Sequence, residues 1–334
     1  MTTAPRTDDV SALPSAPLAH VVRGDLVESV HAGHLVALGA DGAPVLTLGD
    51  PEVTMWPRSC VKPLQAVAMV RHGLDLPERL MALAAASHNG EAQHLAGARE
   101  ILAIAGLDEQ ALLNTPDLPW GSSAQREWLA AGHGPERITQ NCSGKHAAML
   151  LTCVTAGWDT RTYLDPGHPL QVAIRETIAE LTGVPVATAT TDGCGAPLFA
   201  TTVTGLARGF GRVASAPTRD PESAEARVAR AMSAHPEMVA GGRRPPTTLM
   251  RAVPGLVAKD GADGVFAAGL PDGRAVAFKV LDGAERPLAP VMVRALDELG
   301  AFDAEGVDHD AISSLRERDV LGAGRPVGAI RAAF

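Results

Sequence analysis

Ser59-Cys60-Val61-Lys62-Pro63-Leu64-Gln65-Ala66-Val67-Ala68-Met69 is where the chain changes its periodicity. Before it, residues 19–56 read as short strands. Stretches 34–38 and 44–48 flank Gly39-Ala40-Asp41-Gly42, whose Asp-Gly signals a hairpin. From Ser59 onward the pattern is helical, over 62–69, 78–86, 93–105, a helix opening at Gly144 or Lys145, and 169–181. Pro63 is tolerated only in a first helical turn, which puts Ser59 near the helix start. Residues 184–190 are β-branched and read as a strand, and 222–234 as a helix. The segments 255–259, 265–270 and 275–281 read as antiparallel strands before a closing helix at 288–299. Strands, then a helical block at about 59–182, then strands and a helix predict an α+β fold. The expected form is an α/β sandwich, an antiparallel sheet with helices and a helical subdomain. No Gly-rich phosphate loop of a familiar spacing occurs, so nucleotide binding is not indicated.

The 334 residues are 46% hydrophobic and 20% charged, as in soluble globular chains. Acidic residues outnumber basic ones 38 to 29, a net charge of −9, which speaks against nucleic acid or an anionic membrane as partner. The first 18 residues lack an apolar core and read as a mobile tail rather than an export signal, leaving 19–334 as one domain. The cysteines, Cys60, Cys142, Cys153 and Cys194, form no C-x-x-C pair. A cytoplasmic protein with reduced thiols is expected.

Only four of the 29 basic residues are lysines: Lys62, Lys145, Lys259 and Lys279. An arginine stays charged, whereas a lysine can be neutralised by its surroundings and act as a base. Each lysine is therefore a candidate for work that arginine cannot do. Lys279, in the alternating run Ala275-Val276-Ala277-Phe278-Lys279-Val280, reads as facing solvent or a helix end.

Ser59 and Lys62 form an S-x-x-K, whose members share a helix face, so that the amine can take the hydroxyl's proton. Ala86-Ser87-His88-Asn89-Gly90-Glu91 follows a helix; its plain reading is a capped turn. Asn141-Cys142-Ser143-Gly144-Lys145-His146 sits at a helix N-terminus, which favours a thiolate. Thr191-Asp192-Gly193-Cys194 lies at a strand end. Lys259-Asp260-Gly261 closes another strand, with Gly261 permitting close approach. Taken one at a time, the cysteines read as buried inert thiols, a reading kept for Cys60 and Cys153.

The order Ser59/Lys62, Ser87/Asn89, Lys259/Gly261 is similar to that of serine β-lactamases and penicillin-binding proteins. The longer strings, with His235-Pro236-Glu237-Met238-Val239-Ala240-Gly241 and Leu249-Met250-Arg251-Ala252, resemble the Rhizobium-etli-type L-asparaginases from about residue 19 to the end. That resemblance implies a serine β-lactamase-like fold, a homodimer, and hydrolysis of L-asparagine to L-aspartate and ammonia. It implies two Ser–Lys pairs, Ser59 with Lys62 and Ser87 with Lys259. It implies a zinc ion held by Cys142, Lys145 and Cys194, and Arg58, His146 and Asp192 lining the substrate pocket. The sequence departs from the family at Gly242-Arg243-Arg244-Pro245-Pro246-Thr247, where a Gly-Arg-aromatic element is usual. Two rival readings are another S-x-x-K serine amidase or β-lactamase-like hydrolase, and a zinc-binding relative without turnover.

Overall fold

The computed structural model describes residues 14–334. Eight strands form one antiparallel sheet: β1 (Ala16–Arg23), β2 (Leu26–Leu38), β3 (Pro44–Leu48), β4 (Val257–Gly261), β5 (Val265–Gly269), β6 (Ala275–Val280), β7 (Arg318–Gly322) and β8 (Arg325–Ala332). The spatial order is β7-β8-β1-β2-β6-β5-β4, with β3 paired to β2. The helical block enters between β3 and β4, so the early and late strands meet in one sheet, and the α+β expectation holds. Strand β1 starts at Ala16, inside the stretch read as a tail, because Leu18 is wholly buried; residues 1–13 of that stretch lie outside the described residues. No helix among the described residues is long and apolar enough to cross a membrane.

Every residue of β5, and all but Lys279 of β6, is buried, so these strands are covered on both faces. The helices Val203–Arg219 and Leu288–Glu298 both pack on them. The first of these is absent from the periodicity reading. Gly205, Gly209 and Gly211 dilute its helical signal, and Pro217 lies inside it. Those glycines serve packing: a Cβ on Gly211 would stand 2.6 Å from the Gly273 carbonyl oxygen. The expected strand at 184–190 shortens to Ala189–Thr191, since Pro185 has no N–H for a ladder.

Strand β4 is the sheet edge, and the 3-10 helix Arg58–Val61 lies against it. Gly261 makes that approach possible: a Cβ there would stand 2.9 Å from the Pro57 carbonyl oxygen and 3.2 Å from the Cys60 nitrogen. Both obstacles are backbone, so neither can rotate away. Gly261→Ala should therefore cost about 1–3 kcal/mol through overpacking. Urea unfolding checks this; an unchanged midpoint would show that the helix does not rest on β4.

Candidate active site

Ser59 lies in the 3-10 helix that runs directly into the α-helix Lys62–Arg71. Arg58, just before it, has φ of 49°, a left-handed conformation that non-glycine residues seldom adopt. Such outliers persist where surrounding contacts hold them, and they gather at active sites. Two carboxylates hold this one. Arg58 Nε donates to Asp192 Oδ1 at 2.8 Å, and Nη1 to Asp263 Oδ2. Asp263 is itself left-handed, at φ 56°, and its carbonyl accepts from Lys279 Nζ. Lys279 is thus half-buried beside the site, not free in solvent.

Lys62 is 1% exposed. Its Nζ donates to the Ala86 carbonyl at 2.7 Å, to Ser87 Oγ at 2.8 Å and to Cys142 Sγ at 3.0 Å. Three acceptors thus surround the buried amine. Lys62 is thus bonded to Ser87, and no Ser59–Lys62 side-chain hydrogen bond occurs among the described residues. The physical reason is burial. A buried amine must satisfy its donors, and the interior acceptors lie on the Ser87 side. Ser87 is 1% exposed, while Ser59 is only half-buried and reachable by a ligand.

Nor is Ser87 bonded to Lys259. Lys259, wholly buried on β4, donates to the Asp260 carbonyl at 2.6 Å and to Asp260 Oδ1 at 2.9 Å. Burial, with Lys62 and Arg244 nearby, holds its amine below the usual lysine range despite Asp260. The Asp260 carboxyl is held well below its usual range: burial works against the charge, and Lys259 and Arg244 outweigh it.

The Ser87 loop is fixed from three sides. Its N–H donates to the Val239 carbonyl at 2.9 Å, that of His88 to the Asn141 carbonyl at 3.0 Å, and His88 Nε2 pairs with Ser143 Oγ at 2.9 Å. Burial pushes His88 far below its usual pKa, so the ring is neutral. The following helix Ala92–Ile104 is capped by Glu91 and His94, not by Ser87 or Asn89, which leaves the Ser87 hydroxyl to Lys62.

Cys142 is the N-cap of the helix Ser143–Ala156, and Cys194 follows Gly193 in the loop after Ala189–Thr191. Cys142, Cys194 and Ala196 form one buried cluster. Cys142 Sγ donates to Asn141 Oδ1 at 2.9 Å. Its proximity to Cys194, with burial, pushes Cys142 up to about 12, and the same proximity pulls Cys194 well below its ordinary value. Lys145 Nζ donates to Cys194 Sγ at 3.2 Å. Burial disfavours the Lys145 charge, but Cys194, Cys142 and Asp192 outweigh it and hold the amine above its usual range. No group of three His, Cys, Asp or Glu side chains able to hold a metal occurs among the described residues. The set here is two sulfurs and an amine. An ammonium already sits against the sulfur pair, so the chemistry of the place is that of a cation site, and the donors fit a zinc ion that displaces the amine proton.

His146 is buried, with Nδ1 2.8 Å from the Tyr163 hydroxyl. Its Nε2 has no partner among the described residues, and burial holds the ring neutral. Cys60, buried beside Lys259, donates to that residue's carbonyl at 2.9 Å, and burial raises its thiol. The inert reading fits Cys60, and it fits Cys153, pushed up to about 12 by burial.

The structure thus gathers Arg58 with Asp192, Lys62 with Ser87 and Cys142, and Lys145 with Cys194. Sequence reasoning passed over Asp260, Asp263, Tyr163 and Arg244. Asp260, beside Gly261, reads as an ordinary turn residue, nothing local marks Asp263 or Tyr163, and Arg244 is one arginine among 25.

Residues 19–332 match the family described as L-asparaginase II. No curated protein matches the chain. Among solved structures, Mglu in its native form is 14% identical with a TM-score of 0.35, over 85% of this chain and 62% of that one. Mglu in its tris and glutamate form is also 14% identical with a TM-score of 0.35, over 90% and 61%. A β-lactamase from Mycobacterium bovis is 15% identical with a TM-score of 0.38, over 80% and 94%. The chain spans about three fifths of the length of these Mglu chains. Likenesses this distant bear no weight for function.

Proposed function

The chain belongs to the L-asparaginase II family, and from that premise we propose that it hydrolyses L-asparagine to L-aspartate and ammonia through a serine acyl-enzyme. The carrying observation is the buried contact of 2.8 Å between Lys62 Nζ and Ser87 Oγ, one helical turn from the accessible Ser59. Ser59 is the nucleophile because it alone of the two serines can be reached. Its Oγ attacks the side-chain amide carbon, and its proton passes through the Ser87 hydroxyl to Lys62, the general base, whose amine this step requires in unprotonated form. Backbone N–H groups near Ser59 would stabilise the oxyanion. The C–N bond then breaks, the nitrogen leaves as ammonia with the relayed proton, and water hydrolyses the ester to free Ser59. Lys259, a second buried amine and itself held below the usual lysine range, supports proton delivery to the leaving group.

Asparagine enters as a zwitterion, and the Arg58–Asp192 pair offers both charges it needs. The substrate carboxylate exchanges onto Arg58 and its ammonium onto Asp192. The neutral His146, with its Nε2 free of partners among the described residues, is a further lining group in this reading. When bound at Cys142, Lys145 and Cys194, Zn2+ would supply a fixed positive charge and a Lewis acid beside the pocket.

The test is ammonia release by the purified chain from asparagine and from glutamine, with and without a chelator. Release from asparagine is expected. A chelator should raise KM by roughly tenfold while changing kcat by less than about threefold, the signature of lost substrate binding. Labelling by a penicillin with no ammonia released would support the β-lactamase-like reading instead.

A further inference from the structure

One half-buried guanidinium near the two lysines has no part in the scheme above. Arg244 immediately precedes the helix Pro245–Ala252 and is only 18% exposed in its side chain. Its Nη1 donates to the Ser87 carbonyl at 2.6 Å, and its Nη2 to Asp260 Oδ2. Its guanidinium carbon lies 4.2 Å from the centre of the Trp120 ring, a cation–π contact. The other oxygen of Asp260 accepts from Lys259 Nζ at 2.9 Å. One side chain therefore spans the Ser87 loop, the Trp120 loop and strand β4, and it shares a single carboxylate with Lys259.

We propose that Arg244 is a positioning residue for the hydrolysis, tying the Ser87 loop to β4 and holding the Asp260 carboxylate between itself and the Lys259 amine. This rests on the reading of Lys259 as a proton carrier. A planar fork has the right shape for this. One edge takes the backbone carbonyl and another the carboxylate, while its face covers the ring, and a lysine offers none of that geometry.

The electrostatics point the same way. Lys259 is faced by Asp260 on its own strand, by Cys60 and Lys62 from the adjoining helical segment, and by Arg244. Asp260 favours the charged amine; burial, Lys62 and Arg244 oppose it. Arg244 opposes it twice, as a nearby cation and as a competitor for Asp260. Removing Arg244 therefore raises the Lys259 pKa by both routes. Removing the Asp260 charge lowers it.

The chain's four lysines make this measurable. With 13C placed at Cε of lysine, the protein should give four NMR signals, assigned by replacing the lysines one at a time and followed through pH. In Arg244→Gln the Lys259 midpoint should rise by about one pH unit. The acid limb of kcat/KM for asparagine should move up with it. At pH 7, kcat should fall roughly tenfold with KM changed less than about twofold, since Arg244 does not touch substrate. Arg244→Lys should keep the midpoint near that of the native chain yet recover little kcat, because a point charge cannot bridge two acceptors. An Arg244→Gln midpoint equal to the native one, in protein with native near-UV dichroism, overturns the proposal, and so does full recovery of kcat by Arg244→Lys. If Arg244→Gln does not fold, the near-isosteric Asp260→Asn decides: its Lys259 midpoint must drop, and an unchanged one counts against the clamp. Should the native chain release no ammonia, the asparaginase reading fails on its own, while the lysine midpoints still settle what Arg244 does.

Discussion

Ser59→Ala should lower ammonia release from L-asparagine by about 10^4-fold, with little change in thermal stability. The hydroxyl is half-buried and makes no side-chain hydrogen bond among the described residues, so its loss leaves no partner unsatisfied. The whole effect then falls on chemistry, since without the hydroxyl no ester forms. Ser87→Ala should act differently. It removes a proton relay and leaves a donor of the buried Lys62 without its acceptor. A loss of about 10^2–10^3-fold in kcat is expected, in the range of general acid–base contributions, with a stability cost of about 1–3 kcal/mol. Rapid-quench mass spectrometry with asparagine should place the aspartyl ester on the peptide carrying Ser59. An ester on Ser87, or wild-type turnover in either variant, would refute the division of labour.

Lys62→Arg should be nearly as damaging, at about 10^3-fold in kcat. The change keeps the positive charge and the hydrogen-bond donors. What it removes is the ability to give up a proton, because a guanidinium stays charged throughout the working pH range. Lys62→Met keeps length and loses charge, and it should lose as much. If both fail while urea unfolding shows folded protein, the requirement is for a titratable amine and not for a cation or a filler. More than a tenth of native kcat in Lys62→Arg would mean that Lys62 only holds the loop in place. The larger head group must also fit a full site, so an overpacking cost of about 1–3 kcal/mol is expected alongside.

How far these residues could be read from sequence depends on the kind of force that places them. The S-x-x-K was legible because it is local: helical geometry alone brings residues three apart to one side. The partner of Lys62 was not. It is set by where a buried amine finds three acceptors, and all three, the Ala86 carbonyl, Ser87 and Cys142, lie far off in the chain. The close approach of Gly261 was anticipated from its residue type; which backbone it admits required the sheet order. The helix Val203–Arg219 escaped notice because its glycines, poor helix formers by propensity, are there for packing on the sheet. Strands β7 and β8 were missed as well, for β7 is an exposed edge with little apolar alternation to signal it. Arg244 and Asp263 act through partners more than 100 residues away along the chain, Ser87 and Arg58 respectively, and nothing local marks them.

The left-handed turn at Asp263 reaches beyond its own hairpin. A loop between two neighbouring strands is ordinarily free to drift, gaining or losing residues without harm. Here the turn grips the guanidinium next to Ser59, the proposed nucleophile, and both ends of that grip sit in a backbone shape few side chains accept. Lengthening the 262–264 connection by a single residue would pull on Ser59 without meeting substrate, so this piece of surface should tolerate insertion as poorly as the interior does.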